Sequence, residues 1–149
     1  MIENYLEAEE GILLRLKDQI ADLKGVYGMA DLASVRDRAA NLAPCVCVVY
    51  DGDTIPGGEG GRGGQGEAQT VLQRWIAWLI VRNVNNVHEG VAVRAEAGPL
   101  MSAVIKALAG HKPGTSFGRG LRRTSAPRVL YDAGVMHIPV AFELPLITV

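Results

Sequence analysis

Cysteine is nearly absent: the 149 residues hold two, Cys45 and Cys47. On a strand, residues two apart point to one face, and such a pair does not meet ordinary disulfide geometry. Two thiols do not complete a zinc shell, and no histidine stands at ligand spacing from them. They read as small apolar side chains under a sheet. Long hydrophobic runs are missing too. Stretches such as Ala77–Val81 fall far short of a bilayer span, so no membrane partner is expected. The start Met-Ile-Glu-Asn is acidic, unlike a signal peptide, and predicts synthesis in the cytoplasm.

Catalytic signatures are also lacking. The three histidines are His88, His111 and His137, and none neighbours a Ser or Cys in a known motif. His-Glu-x-x-His and Cys-x-x-Cys do not occur. Triads assemble in space, so an enzyme is not excluded, but no residue pattern points to catalysis, a cofactor or a metal. Asp51 and Asp53 lack a third carboxylate nearby in sequence and are explained as turn residues.

What is abundant is glycine, above all in PGGEGGRGGQGE at residues 56–67. A phosphate-cradling loop needs a lysine after its last glycine, yet no lysine lies between Lys24 and Lys106. A dinucleotide fingerprint can be forced on Gly58, Gly60 and Gly63, but it requires a helix to follow. Gln69-Thr-Val-Leu-Gln-Arg-Trp-Ile follows, which reads as a strand. The stretch is therefore expected to be a flexible loop between strands.

Net charge is only −1, but it is unevenly spread. Residues 1–59 carry eleven acids and five bases, whereas residues 97–131 carry six bases and no acid. Such polarity suits a nucleic-acid surface, or copies of the chain meeting head to tail. It also vanishes if folding mixes the two halves. The basic segment 106–128 holds one aromatic, Phe117, where a base-stacking surface would interleave several.

Forty-eight per cent hydrophobic residues in this length predict one domain with a core. Ile2, Leu6, Leu13, Leu16, Ile20 and Leu23 form a helical stripe over 2–24, with Gly25 as its left-handed cap. Asp31 is placed to cap a second, short helix over Leu32, Val35 and Ala39. PCVCVVYDGD reads as a strand ending in an Asp51-Gly52 turn. From Trp75 to Val81 both alternating faces are apolar, so that strand is covered on both sides, by helices on one and by more of this chain or another subunit on the other. A helix is expected at about 96–109, with Pro99 in its first turn and Gly110 beyond its end. Residues 114–127 look irregular. Met136, Ile138, Val140, Phe142, Leu144 and Leu146 alternate with polar or small residues, which predicts a half-buried strand. Pro139 and Pro145 mark it as an edge or bulged strand, open to another chain. The fold class is α+β: a mostly antiparallel sheet with helices packed on one face.

The order of the parts IENYLEAEEGILLRL, PCVCVVYDGD, LQRWIAWLIVRNV, AGPLMSAVIKALAG and VMHIPVAFELPL resembles the tail terminator proteins of Mu-like contractile-tailed bacteriophages. These are similar in architecture to the lambda-type minor tail protein U. The resemblance spans nearly the whole chain and rests on order, length and texture. It implies a structural, non-enzymatic protein of the virion without a cofactor. Six copies would form a ring that caps the tail tube, ends its polymerisation and offers the head-joining surface. Implied partners are the tail tube protein, the tail sheath protein, a head–tail connector or neck protein, and DNA passing through the hole unread. Arg62, Arg119, Arg122, Arg123, Trp75 and Pro139 are the residues expected at an interface or the lumen. The rival reading is a small nucleic-acid-binding module using residues 106–128.

Overall fold

The computed structural model describes residues 2–56, 68–82, 91–132 and 134–148. Arg62, His88 and nearly all of the glycine-rich stretch lie outside the described residues.

One mixed sheet organises the chain. Strands β1 (Gly25–Tyr27), β2 (Cys45–Thr54), β3 (Gln69–Arg82), β4 (Arg122–Thr124), β5 (Leu130–Asp132) and β6 (Val135–Thr148) run in the order β1-β2-β3-β6-β4, with β5 also on β6. Only β1 and β2 pair in parallel; the other pairings are antiparallel, as the α+β reading requires.

The period-2 pattern sets the two faces. Val46 and Val48 of β2, Val71, Trp75, Ala77, Leu79 and Val81 of β3, and the even positions of β6 share the main core. Two long helices cover it, α1 (Ala8–Gln19) through Ala8, Ile12 and Leu16, and α4 (Val91–Leu108) through Ala97, Leu100, Val104 and Leu108. Cys45, Cys47, Ile80 and Val135 on the opposite face form a second cluster. There α2 (Leu32–Asp37) and α3 (Ala39–Leu42) cover them with Val35 and Ala39. The strand apolar on both sides is thus covered on both sides, and the two cysteines are free and buried under short helices.

Several local expectations need correction. The first helix is shorter than 2–24. Asn4 holds its start back, because its side-chain oxygen accepts from Leu6 N–H at 3.1 Å and its carbonyl from Glu7 N–H at 3.0 Å. The helix ends where Ile20 turns extended (φ −126, ψ 90) and buries its side chain. Ile12 rather than Leu13 then faces the core, and Leu6 and Leu14 stay exposed. Gly25 does not cap α1; it opens β1. Asp31 stands at the N-cap of α2 but makes no side-chain capping bond. The last long helix begins at Val91, so Pro99 lies inside it. Asp51-Gly52 is not a turn but a bulge in β2: Gly52 has φ 85 and the register shifts between Tyr50 and Asp53.

The last strand is not simply an edge. It pairs with β3 from Val135 to Thr148, and on its outer side with β5 over Val135–His137 and with β4 over Ala141–Glu143. Pro139 falls in the gap between those outer partners, and Pro145 lies beyond them. A missing N–H is harmless where no outer strand asks for it, so the prolines fit a strand that is flanked in part.

Candidate functional site

The outer flank of β6 carries the charged residues singled out in the sequence. Gly110, with φ 79, follows α4 and leads into a loop of residues 111–121. Its N–H donates to Leu121 O at 2.8 Å, and Leu121 N–H donates to His111 O at 2.9 Å, so the loop is closed at its base. Phe117 and Leu121 point inward and are nearly fully buried. The segment expected to be irregular is therefore anchored, and it ends in strand β4. Because Phe117 is buried, the only aromatic of the basic segment is not available for base stacking.

The arginines do not form one cluster. Arg122 pairs in register with Glu143, and Arg123 with Phe142, so the two side chains stand on opposite faces of the sheet. Arg122 donates to the Glu143 carboxylate at 2.8 Å, which Thr124 Oγ1 also approaches at 3.3 Å. That pair is largely exposed and adds well under about 1 kcal/mol. Arg119 and Arg123 take part in no ion pair among the described residues. Arg119 lines a cleft of about 680 Å³ with Thr70, Ser116, Pro145, Leu146 and Ile147. This cleft lies along Pro145–Ile147, where no strand among the described residues pairs with the outer side of β6, and Ile147 is 58% exposed. A cation, an apolar side chain and an unpaired strand edge meet there, which suits the docking of an extended protein segment.

Trp75 is placed otherwise than at a subunit boundary. It is 1% exposed in the main core, beneath Tyr50 at a ring separation of 5.3 Å. The doubly apolar strand that suggested a boundary is covered by the chain's own helices. Pro139 is likewise buried, on the opposite face.

A polar knot beside Trp75 went unread in the sequence. Gln73 is fully buried, accepts from Trp75 Nε1 at 3.0 Å and donates to Tyr5 O at 2.6 Å. Tyr5 in turn donates to the Asp53 carboxylate and packs edge-on against Tyr50. Burial, then the hydrogen bond to Asp53 and its charge, raises the Tyr5 hydroxyl well above its ordinary range. Burial also raises Tyr50, with Asp53 adding to it. The knot ties the N-terminal segment onto the sheet. Its sequence signal was a glutamine between Val71 and Trp75 on the inward face of β3. Asp51 turns away from the knot and holds Arg74 at 2.8 Å. Among the described residues no group of three or more His, Cys, Asp or Glu is placed to hold a metal, and no helix is long and apolar enough to cross a membrane.

Two surfaces outside the basic flank are also exposed and apolar. Val129, Leu130 and Tyr131 present a continuous run on and beside β5. A cavity of about 410 Å³ opens between the end of α1 and the first half of α4. Three consecutive apolar residues before Asp132 could have revealed the first; no linear signal marks the second.

Residues 1–148 match the family described as phage tail terminator protein. No curated protein matches the chain.

Proposed function

The chain belongs to the phage tail terminator family, a family of structural tail proteins, and from this we propose that it works as a ring of six copies seated on the end of the tail tube. The ring stops tube growth and gives the head-joining surface its footing. The observation that carries the reading is the family match over residues 1–148, nearly the entire chain.

The geometry supports a ring through surfaces that differ on the two sides of the subunit. A closed ring uses heterologous contacts, one patch of each copy against another patch of the next. The cleft at Arg119 and Pro145–Ile147 takes a segment of a tube or neck protein. Arg119 supplies its positive charge, while Arg122 is partly committed to Glu143. DNA crosses the lumen by charge alone, without base reading. The sheath protein is a further proposed partner, and the neck of the virion the proposed location, on the resemblance to the Mu-like contractile branch.

Native mass spectrometry over a range of concentration and salt tests the stoichiometry. A discrete hexamer supports the ring, and its loss at higher salt implicates charged contacts between copies. A dimer that persists at every concentration contradicts it.

A further inference from the structure

One row of paired residues crosses the sheet from Gly25 through Cys45, Ile80 and His137 to Leu130. Its ends lie at the same height on opposite sides of the subunit, and each end carries an unfilled surface.

At the outer end, Val129, Leu130 and Tyr131 are 39%, 54% and 73% exposed. Val129 beside β5, and Leu130 and Tyr131 on its two faces, leave an exposed apolar edge of the kind that marks a contact. Tyr131 pairs with Met136 and so stands on the α1/α4 side of the sheet. Arg128 precedes the run and joins no ion pair among the described residues.

Towards the other end, next to Cys45, Pro44 walls the 410 Å³ cavity on that same side of the sheet. Ile20, Pro99 and Leu100 also line it. Asp22 and Glu96 stand exposed among its lining and join no ion pair among the described residues. One end thus offers an apolar projection with a cation, and the other an apolar recess with two carboxylates.

We infer that Arg128–Tyr131 of one copy seats in the α1/α4 cavity of a second copy, with Arg128 facing Asp22 and Glu96. The match is of shape class, apolarity and charge together. Since the two surfaces lie on opposite sides of one subunit, the contact is head to tail and repeats around a ring if its rotation closes. The inference rests on the ring reading and names the contact that builds it.

Cysteine pairing tests it in the full chain. The native thiols are buried and stay silent. An equimolar mixture of Tyr131→Cys and Ala95→Cys chains, mildly oxidised, is expected to give a covalent dimer as its main product. A chain carrying both substitutions is expected to give a ladder ending at a closed ring. Arg128→Glu in the first partner should cause loss of the mixed dimer, and Glu96→Arg in the second should restore it. The inference is overturned if the mixture yields no more dimer than a control pairing Ile147→Cys with Ala95→Cys. If multimers of the unaltered chain are still seen by native mass spectrometry in that case, the ring stands on another contact; if none are seen, both readings fall.

Discussion

The fully buried amide of Gln73 donates to the main-chain carbonyl of Tyr5 at 2.6 Å while its oxygen accepts from Trp75 at 3.0 Å. A single side chain therefore satisfies one polar group on the N-terminal segment and one in the core. Replacing it with leucine of similar bulk strands both. Gln73→Leu is expected to destabilise the protein by about 2–4 kcal/mol, since each buried unpaired group costs roughly 1–3 kcal/mol. The urea midpoint should fall with little change in slope.

Two glycines in helices should respond unequally. Gly11 of α1 lies so close to the main chain of Pro113 that an added methyl group would overlap its carbonyl. Gly11→Ala must push apart α1 and the loop that carries Arg119, at a cost of about 1–3 kcal/mol. At Gly98 of α4 an added methyl group meets nothing beyond its chain neighbours. Gly98→Ala gains about 0.5–1 kcal/mol of helix propensity, offset by the crowding of the Pro99 ring against a helical residue before it, so stability should change little. Thermal melts of the two variants check the difference.

The strands were the most legible part of the sequence. Alternation at Met136 through Leu146 assigned the inward face of β6, and the doubly apolar run of β3 announced cover on both sides. Helix limits were less legible, because they depend on Asn4 bonding its neighbours and on Ile20 turning in to reach the core. Asp51-Gly52 signals a turn or a bulge equally, and only pairing with β3 distinguishes them. The prolines of β6 forbid outer hydrogen bonds at two positions without saying whether a neighbour stands elsewhere along the strand. For the site, the basic segment was visible, but its unity was not real. Once 122–124 forms a strand, Arg122 and Arg123 must face opposite ways. Trp75 looked like a boundary residue because sequence does not reveal which cover comes from the same chain.

The buried thiols should make stability fall in alkaline solution. Burial pushes Cys45 up to about 12, with Cys47 adding to it. Burial, then the Asp31 charge, pushes Cys47 up to about 11. The unfolded chain loses these protons from about pH 9, before the folded one. Their contribution is thus complete below about pH 9 and declines as pH rises towards about 12. Tyr5 and Tyr50 shift in the same direction, so the comparison is with Cys45→Ala/Cys47→Ala, whose stability should decline less steeply over that range. Thiol reagents at neutral pH should label the folded protein slowly and the unfolded one at once.

Acid should destabilise through the histidines. Burial lowers His137, and Arg36 adds to that against Asp132. Burial and Arg15 lower His111, opposed by a hydrogen bond to the Gly11 backbone. The unfolded chain takes up protons near 6.5, before the folded one does. Stability is therefore complete above 6.5 and falls as pH drops through the window beneath it. In His111→Gln/His137→Gln the midpoint of urea unfolding should vary less across that window.

The central claim is that this chain ends tube growth by closing over the tube. The direct measurement is electron microscopy of tail tube protein polymerising with and without it. With the chain present, tubes should stop growing and carry a six-fold ring at one end. Tubes that lengthen equally in both cases, with bare ends, would contradict the account.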